Sequence, residues 1–317
     1  MKSVVVGFGG ALPQRCIKND ELPTSLNTSD EWISQRTGIK QRYVVGEGES
    51  TSTLATKAAK EALDCAKISP NDVDLIVVGT TTGDYTFPAT ACIVQRNLGI
   101  ANGCPALDVS AACSGFIYSL DVADSFIRTG KSKCALVIGA DSFSKILDWN
   151  DRSSCVLFGD GAGAVVLKAE ENTDRGVQYC KIYADGSFSD YLVTSGGVST
   201  TQNAGVVTMK GREVFKFAVE KFKESFQELL EKNNLKIEDI DLIVPHQANI
   251  RIINKLIDVL KIDSKKVVVT IDKHSNTSAA TIPLALNEIK NELGSGKNVV
   301  LLSMGAGFTW GAALVRI

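Results

Sequence analysis

The chain has 317 residues, 44% of them hydrophobic and 22% charged, with a formal net charge of −2. That is enough apolar material for one large core or two fused halves, and there is no basic run to track a nucleic-acid backbone. No apolar stretch approaches the ~20 residues of a membrane span, and two histidines beside eight cysteines, with no CxxC, argue against a zinc site.

All cysteines but Cys180 lie in the first 155 residues, a usage that suits reduced, mostly buried thiols in a cytoplasmic protein better than disulfides. Val4 to Leu12 has the apolar character of a signal-peptide core, but almost nothing precedes it and no small-residue cleavage pattern follows. It reads as a first strand. Gly7-Phe-Gly9-Gly-Ala-Leu12 lacks the third glycine of a dinucleotide-binding turn. An amphipathic helix follows over Thr53 to Ala66, then an apolar strand in Asn71-Asp-Val-Asp-Leu-Ile-Val-Val78.

Pro105-Ala-Leu-Asp-Val109 is short and apolar, as a core strand would be. After it comes Ser110-Ala-Ala-Cys113-Ser-Gly115, and then Phe116, Leu120 and Ala123 recur at helical spacing through to Arg128 and Gly130. Cys113 therefore sits where a strand turns into a helix, among small residues that let a substrate approach the sulfur. Unpaired N–H groups and the dipole at a helix N-terminus favour a thiolate over a thiol of reference pKa about 8.5. A buried structural cysteine fits the same local pattern. Lys133-Cys-Ala-Leu-Val-Ile-Gly139 reads as the next strand, and Gly159-Asp-Gly-Ala-Gly163 as a tight turn without a Walker lysine.

The second half repeats the plan. A long amphipathic helix, Glu213 to Asn233, leads into Glu238-Asp-Ile-Asp-Leu-Ile-Val244, a near copy of the strand at Asn71. His246 ends that strand, just before the amphipathic segment Ile250 to Leu260. Val267-Val-Val-Thr-Ile271 then reads as a strand leading through His274 and Asn276 into a helix, and Lys297-Asn-Val-Val-Leu-Leu-Ser303 matches the strand at Lys133. One register, within a few residues, relates all three pairs and sets the Cys113 turn opposite the Asn276 turn. Such self-similarity implies duplicated βαβ-rich halves, 1–170 and 171–317, with equivalent turns facing a common centre. Cys113, His246 and Asn276 would meet there. Either histidine alone could be an ordinary core residue.

Six blocks make the chain resemble a known family: Thr28-Ser-Asp-Glu-Trp-Ile33, Arg36-Thr-Gly-Ile39, Ala111-Ala-Cys-Ser-Gly115, Leu157-Phe-Gly-Asp-Gly-Ala-Gly163, Pro245-His-Gln-Ala-Asn249 and Asn276-Thr-Ser-Ala-Ala280. With Val5-Val-Gly-Phe-Gly9 and Gly307-Phe-Thr-Trp-Gly-Ala-Ala-Leu-Val-Arg316, they run end to end and are similar to β-ketoacyl-acyl carrier protein synthase III of the thiolase superfamily. The resemblance implies an α/β fold of two thiolase-like halves in a five-layered αβαβα sandwich. It implies the initiating condensation of type II fatty-acid synthesis: acyl-CoA, acetyl-CoA foremost, acylates Cys113, and malonyl-acyl carrier protein then condenses with loss of CO₂.

On the same basis Cys113, His246 and Asn276 are the catalytic triad, and the N–H groups of Cys113 and Gly307 form an oxyanion hole. Trp32 and Arg152 would sandwich the CoA adenine, with Thr28, Arg36, Gly211, Phe215, Ala248 and Asn249 along the route of the phosphates and pantetheine arm. Phe87 would close the acyl pocket, at the dimer interface of a homodimer. Lys216, Gln247 and Arg251 would meet the acidic carrier protein. No permanently bound cofactor is implied, acyl-CoA being a substrate. Ser275 stands where the family usually has glycine, which requires φ < 0 or room for the side chain. Ala306 narrows a turn that is usually richer in glycine, and Tyr191 to Val207 reads as a variable loop near the pocket.

A thiolase would want a second reactive cysteine in the C-terminal half, where only Cys180 lies. A condensing relative serving secondary metabolism, and a module that binds acyl-CoA or carrier protein without catalysis, remain the alternatives.

Overall fold

The computed structural model describes residues 1–317. In chain order, the first half holds β1 (Lys2–Ala11), β2 (Arg15–Lys18), α1 (Asp30–Thr37), β3 (Gln41–Val44), α2 (Thr51–Ala66), β4 (Leu75–Gly79), α3 (Thr90–Asn97), β5 (Ala106–Val109), α4 (Gly115–Arg128), β6 (Cys134–Asp141) and β7 (Gly161–Glu170). The second holds β8 (Gly176–Ala184), β9 (Leu192–Thr194), β10 (Val207–Met209), α5 (Gly211–Asn233), β11 (Leu242–Pro245), α6 (Ile250–Leu260), α7 (Ile271–His274), α8 (Thr281–Glu288), β12 (Asn298–Gly305) and β13 (Thr309–Arg316).

Two sheets carry the fold, one of strand order β1-β7-β6-β4-β5 and one of order β11-β12-β13-β8. In each, the two strands that flank the buried helix are parallel (β4 with β6, β11 with β12) and the next pairing is antiparallel. Beside β11 the second sheet has a single parallel bridge, Ile243 to Val267, where β5 stands beside β4 in the first. The apolar run Val267 to Ile271 thus reads as a strand from sequence but forms only that bridge. The run Pro105 to Val109 does form a strand, yet β5 is a half-buried edge and not a core strand.

The layers follow from strand alternation, since successive side chains point to opposite faces. On β4, Leu75 and Val77 enter a central core with Phe116, Ile117 and Leu120 of α4 and Ile282, Ala285 and Leu286 of α8. Val299 and Leu301 of β12 enter the same core from the other sheet. Ile76 and Val78 face the opposite way, against Leu54, Ala58 and Ala62 of α2 and Val94 of α3. Val300 and Leu302 likewise meet Phe222, Phe226 and Leu229 of α5 and Ile253 and Leu256 of α6. The order is helices, sheet, helices, sheet, helices: an αβαβα sandwich with α4 and α8 in the middle. The near-continuous apolar runs of β4, β6 and β12 are what burial on both faces demands.

The middle layer needs close approach. A Cβ at Gly139 of β6 would lie 2.2 Å from the Ala279 carbonyl oxygen, so glycine lets the turn before α8 sit directly on the first sheet. That puts the start of α8 beside the start of α4.

Candidate active site

Cys113 lies in a short 3-10 turn, Ala112–Ser114, that joins β5 to α4. Ser114 Oγ donates to the Thr309 carbonyl (3.0 Å) and Thr309 Oγ1 donates to the Ala111 carbonyl (3.1 Å), which clamps the turn to β13. Ala112 takes φ +45°, an uncommon conformation for a residue with a side chain and one found at positions that tertiary structure over-determines. Gly305 backs the nucleophile: a Cβ there would lie 2.7 Å from the Cys113 nitrogen.

Two influences act on the Cys113 thiol in opposite directions, the helix end and burial. Burial pushes the thiol up to about 12, and the buried Asp141 carboxylate adds to the rise. Loss of water thus opposes the stabilisation that the helix end offers a thiolate. Asp141, at the end of β6, was not singled out from sequence. It accepts from Thr81 N–H (2.9 Å), Thr82 Oγ1 (2.7 Å) and Ala279 N–H (3.2 Å), tying the loop after β4 to the turn before α8.

His246 follows β11 and is 2% exposed. Its backbone N–H donates to the Leu302 carbonyl (2.7 Å), and burial pulls the imidazole pKa down to about 3, which favours the neutral ring. Nδ1 lies 2.6 Å from Thr281 Oγ1, a partner the sequence did not reveal. The backbone of Asn276 is bracketed by Leu157 and Gly159, with Asn276 N–H to the Leu157 carbonyl and Gly159 N–H to the Asn276 carbonyl, each 3.0 Å. Asn276 Oδ1 accepts from Ser278 N–H at 2.9 Å.

These three residues meet. Cys113, His246 and Asn276 line one cavity of about 100 Å³, together with Gly211, Phe215, Ala248 and Asn249. Cys113 also lines a second cavity of about 450 Å³ with Phe143, Ile146, Leu192, Val207, Ala306 and Gly307. The nucleophile therefore stands between a narrow passage and a wider chamber. The stretch from Tyr191 to Val207 begins and ends in a hairpin, β9 with β10, whose Leu192, Val193 and Val207 wall the chamber. His274 is left out, buried elsewhere with Nδ1 unpartnered and Nε2 3.8 Å from Glu288.

Trp32, Arg36 and Arg152 form a patch at α1, whose first turn is capped by Ser29. The guanidinium of Arg36 lies 4.4 Å from the Trp32 ring centroid and that of Arg152 5.3 Å. Arg152 also donates to the Asn27 carbonyl (2.9 Å). At that spacing no base fits between Trp32 and Arg152, so the expected sandwich is closed until Arg152 moves. Thr28 beside this patch has a buried hydroxyl with no hydrogen-bond partner. Trp32 and Ile250 pack on one apolar cluster, which sets the patch near Asn249 and the passage. Asn249 itself caps α6, with Oδ1 accepting from Arg251 N–H at 2.8 Å.

One expected contact lies elsewhere. Gln247 is 1% exposed and cannot face a carrier protein: Nε2 donates to the Pro245 and Val268 carbonyls (2.8 and 3.1 Å) and Oε1 accepts from Thr270 N–H (2.8 Å). It ties the strand end to the Val267–Thr270 segment. Phe87 is 84% exposed and lines neither cavity of Cys113. Lys216 and Arg251 are exposed, on α5 and α6.

Ser275 meets neither condition for a side chain at its position. Its φ is +61° with ψ −165°, a region that is essentially glycine-only, and it is wholly buried, its hydroxyl turned onto the His274 carbonyl.

Comparison with known proteins decides the family. The chain matches the 3-oxoacyl-[acyl-carrier-protein] synthase III family over residues 107–186 and that family's C-terminal domain over 230–317. A β-ketoacyl-[acyl-carrier-protein] synthase III of Rhizorhabdus wittichii is 53% identical over 317 residues, covering 99% of each chain. One of Wolbachia pipientis is also 53% identical, over 318 residues and 99% of each. The chain belongs to the 3-oxoacyl-[acyl-carrier-protein] synthase III family. The crystal structure of the Aquifex aeolicus synthase III, 48% identical, superposes with a TM-score of 0.94 over 99% of this chain and all of that one. The protein is thus a condensing acyltransferase of fatty-acid biosynthesis with the thiolase fold.

Proposed function

We propose that Cys113, His246 and Asn276 carry out the synthase III reaction in two stages, on acyl-CoA and then on malonyl-acyl carrier protein. The observation that carries this reading is the cavity lined at once by a thiol, a neutral imidazole and an amide anchored through its oxygen.

In the first stage the Cys113 sulfur attacks the thioester carbonyl. A thiol held near pKa 12 loses its proton in step with attack, and the departing CoA thiolate takes that proton up. The acyl group stays as an enzyme thioester, which divides one difficult step into two. Backbone N–H groups of Cys113 and Gly307, two residues that line the wider chamber, are the donors for the tetrahedral oxyanion.

In the second stage malonyl thioester loses CO₂, and the enolate oxygen needs donors where charge develops. The Asn276 NH₂ and the His246 imidazole N–H fill that role. A group that titrates near 3 is a poor base at neutral pH, and decarboxylation needs none. The enolate carbon attacks the enzyme thioester and frees 3-oxoacyl-acyl carrier protein, and the Cys113 thiolate regains a proton from solvent.

Acyl-CoA enters by the narrow passage past Asn249, Ala248, Phe215 and Gly211, with its adenine on Trp32 once Arg152 swings aside. Exposed Lys216 and Arg251, on the helices α5 and α6 that also supply lining residues of the passage, suit an acidic carrier protein. The open edge of β5 and the exposed Tyr85 and Phe87 support a homodimer formed along that edge. Eight unpaired cysteines suit a reducing compartment, in keeping with the cytoplasm.

The test is a reconstituted assay that follows CO₂ release and 3-oxoacyl-acyl carrier protein from malonyl-acyl carrier protein and acyl-CoA. Condensation by wild type, lost in Cys113→Ala, supports the reading; no product from any acyl-CoA contradicts it.

A further inference from the structure

His246 is held by one side-chain hydrogen bond, and the chemistry of its partner restricts what the imidazole can do. Thr281 is the first residue of α8 and is 2% exposed. Its Oγ1 lies 2.6 Å from His246 Nδ1 and 3.2 Å from the Ser278 carbonyl oxygen. A hydroxyl has one hydrogen to give. Two arrangements fit these contacts: the hydroxyl donates to Nδ1, or Nδ1–H donates to the hydroxyl, which then gives its hydrogen to the Ser278 carbonyl. An imidazole that donates to the enolate must carry its proton on Nε2, which makes Nδ1 the acceptor and Thr281 the donor of the shorter contact.

We propose that Thr281 is a positioning residue that pins His246 as the Nε2–H tautomer, committing it to donate to the enolate and not to serve as base for Cys113. Two further observations fit. His246 is neutral, so a tautomer choice exists to be made. Thr281 begins the helix that follows Asn276-Thr-Ser-Ala-Ala280, so one turn and helix start orient both enolate donors: Ser278 N–H fixes the Asn276 amide and Thr281 O–H fixes the imidazole. The arrangement divides labour between the half-reactions. Acylation proceeds without the imidazole taking a proton, and decarboxylation depends on it.

The inference rests on the two-stage reading above, and the experiment keeps the two apart. Thr281→Val preserves volume and removes the hydroxyl; Thr281→Ser removes the methyl and keeps it. Each full-length variant is assayed beside wild type for Cys113 acylation by acyl-CoA and for CO₂ release from malonyl-acyl carrier protein. Thr281→Val is expected to lose about 10–100-fold in CO₂ release, by analogy with the cost of removing the partner that orients a metal-bound histidine, while acylation changes by less than about threefold. Thr281→Ser should recover CO₂ release to within a few-fold, which a packing role would not produce.

Imidazole ¹⁵N NMR reads the tautomer directly, and two histidines give a spectrum simple enough to assign through His246→Gln. Wild type is expected to carry the His246 proton on Nε2, with Thr281→Val shifting it towards Nδ1 and leaving His274 unmoved. A wild-type proton on Nδ1 overturns the proposal even if Thr281→Val fails to fold. So does a folded Thr281→Val with unchanged CO₂ release, or with equal loss in both half-reactions. Wild type that neither acylates nor releases CO₂ would instead overturn the two-stage reading.

Discussion

Asn276 Oδ1 accepts the Ser278 N–H at 2.9 Å, so the amide oxygen is committed to its own turn and the NH₂ faces the cavity shared with Cys113 and His246. Asn276→Ala should therefore remove one enolate donor and lower CO₂ release about 10²–10³-fold, with acylation of Cys113 spared. Asn276→Asp should be worse than alanine, since a carboxylate anchored in the same way sets a negative oxygen where the enolate oxygen develops. Separate assays of the two half-reactions check both statements.

Acid should destabilise the fold partly through His246. Its folded pKa is about 3 against an ordinary 6.5, so between these values the unfolded chain binds a proton that the folded chain refuses. Stability is fully present above pH 6.5 and falls as pH drops towards 3, by about 1.4 kcal/mol per pH unit from this group. His274, also lowered by burial, acts in the same direction. Cys113 works at the other end: raised from 9.0 to about 12, it gives stability that is lost as pH climbs between those values. Urea denaturation across pH 4–7 should show a shallower acid slope for His246→Gln than for wild type.

Ser275→Gly should stabilise the protein. A serine at φ +61° and ψ −165° carries a strain of about 1–3 kcal/mol, while the extra freedom of glycine in the unfolded chain costs about 0.5–1 kcal/mol. The net gain expected is about 1 kcal/mol, read as a higher denaturation midpoint at constant m-value. Catalysis should survive, although Ser275 is adjacent to Asn276.

The cationic pair on Trp32 makes an asymmetric prediction for acyl-CoA. Trp32→Ala removes the stacking surface and should raise KM about 3–10-fold with kcat unchanged, from an aromatic contact of about 0.5–1.5 kcal/mol. Arg152→Ala removes a stacking partner but also the group that covers the ring at rest, so its effect should be smaller. Steady-state kinetics with acyl-CoA, compared with an acyl-pantetheine that lacks the adenine, separates the two.

Much of the site was legible because the residues are sparse and the chemistry is narrow. A cysteine among small residues at a strand-to-helix turn, one histidine at a strand end and one asparagine at a matching turn left few ways to converge, and they share a cavity. Orientation was not legible. Gln247 lies between His246 and Ala248, in a block rich in ligand-facing residues, yet its side chain turns inward to satisfy two carbonyls and an N–H. Thr281 reads as an ordinary helix residue until its hydroxyl is seen against Nδ1. The opposing pull of burial on Cys113 was not legible, because a helix end is visible in sequence while desolvation is a property of the packed whole. The sheets followed the same rule: the doubly buried β4 and β12 announce themselves by apolar runs, whereas β5 and the Val267 bridge depend on neighbours.

The most direct test is intact-protein mass spectrometry after incubation with a panel of acyl-CoAs, wild type beside Cys113→Ala. The account predicts a single acyl adduct on wild type, absent from Cys113→Ala and discharged by malonyl-acyl carrier protein. No adduct from any acyl-CoA, or one that persists in Cys113→Ala, would contradict it.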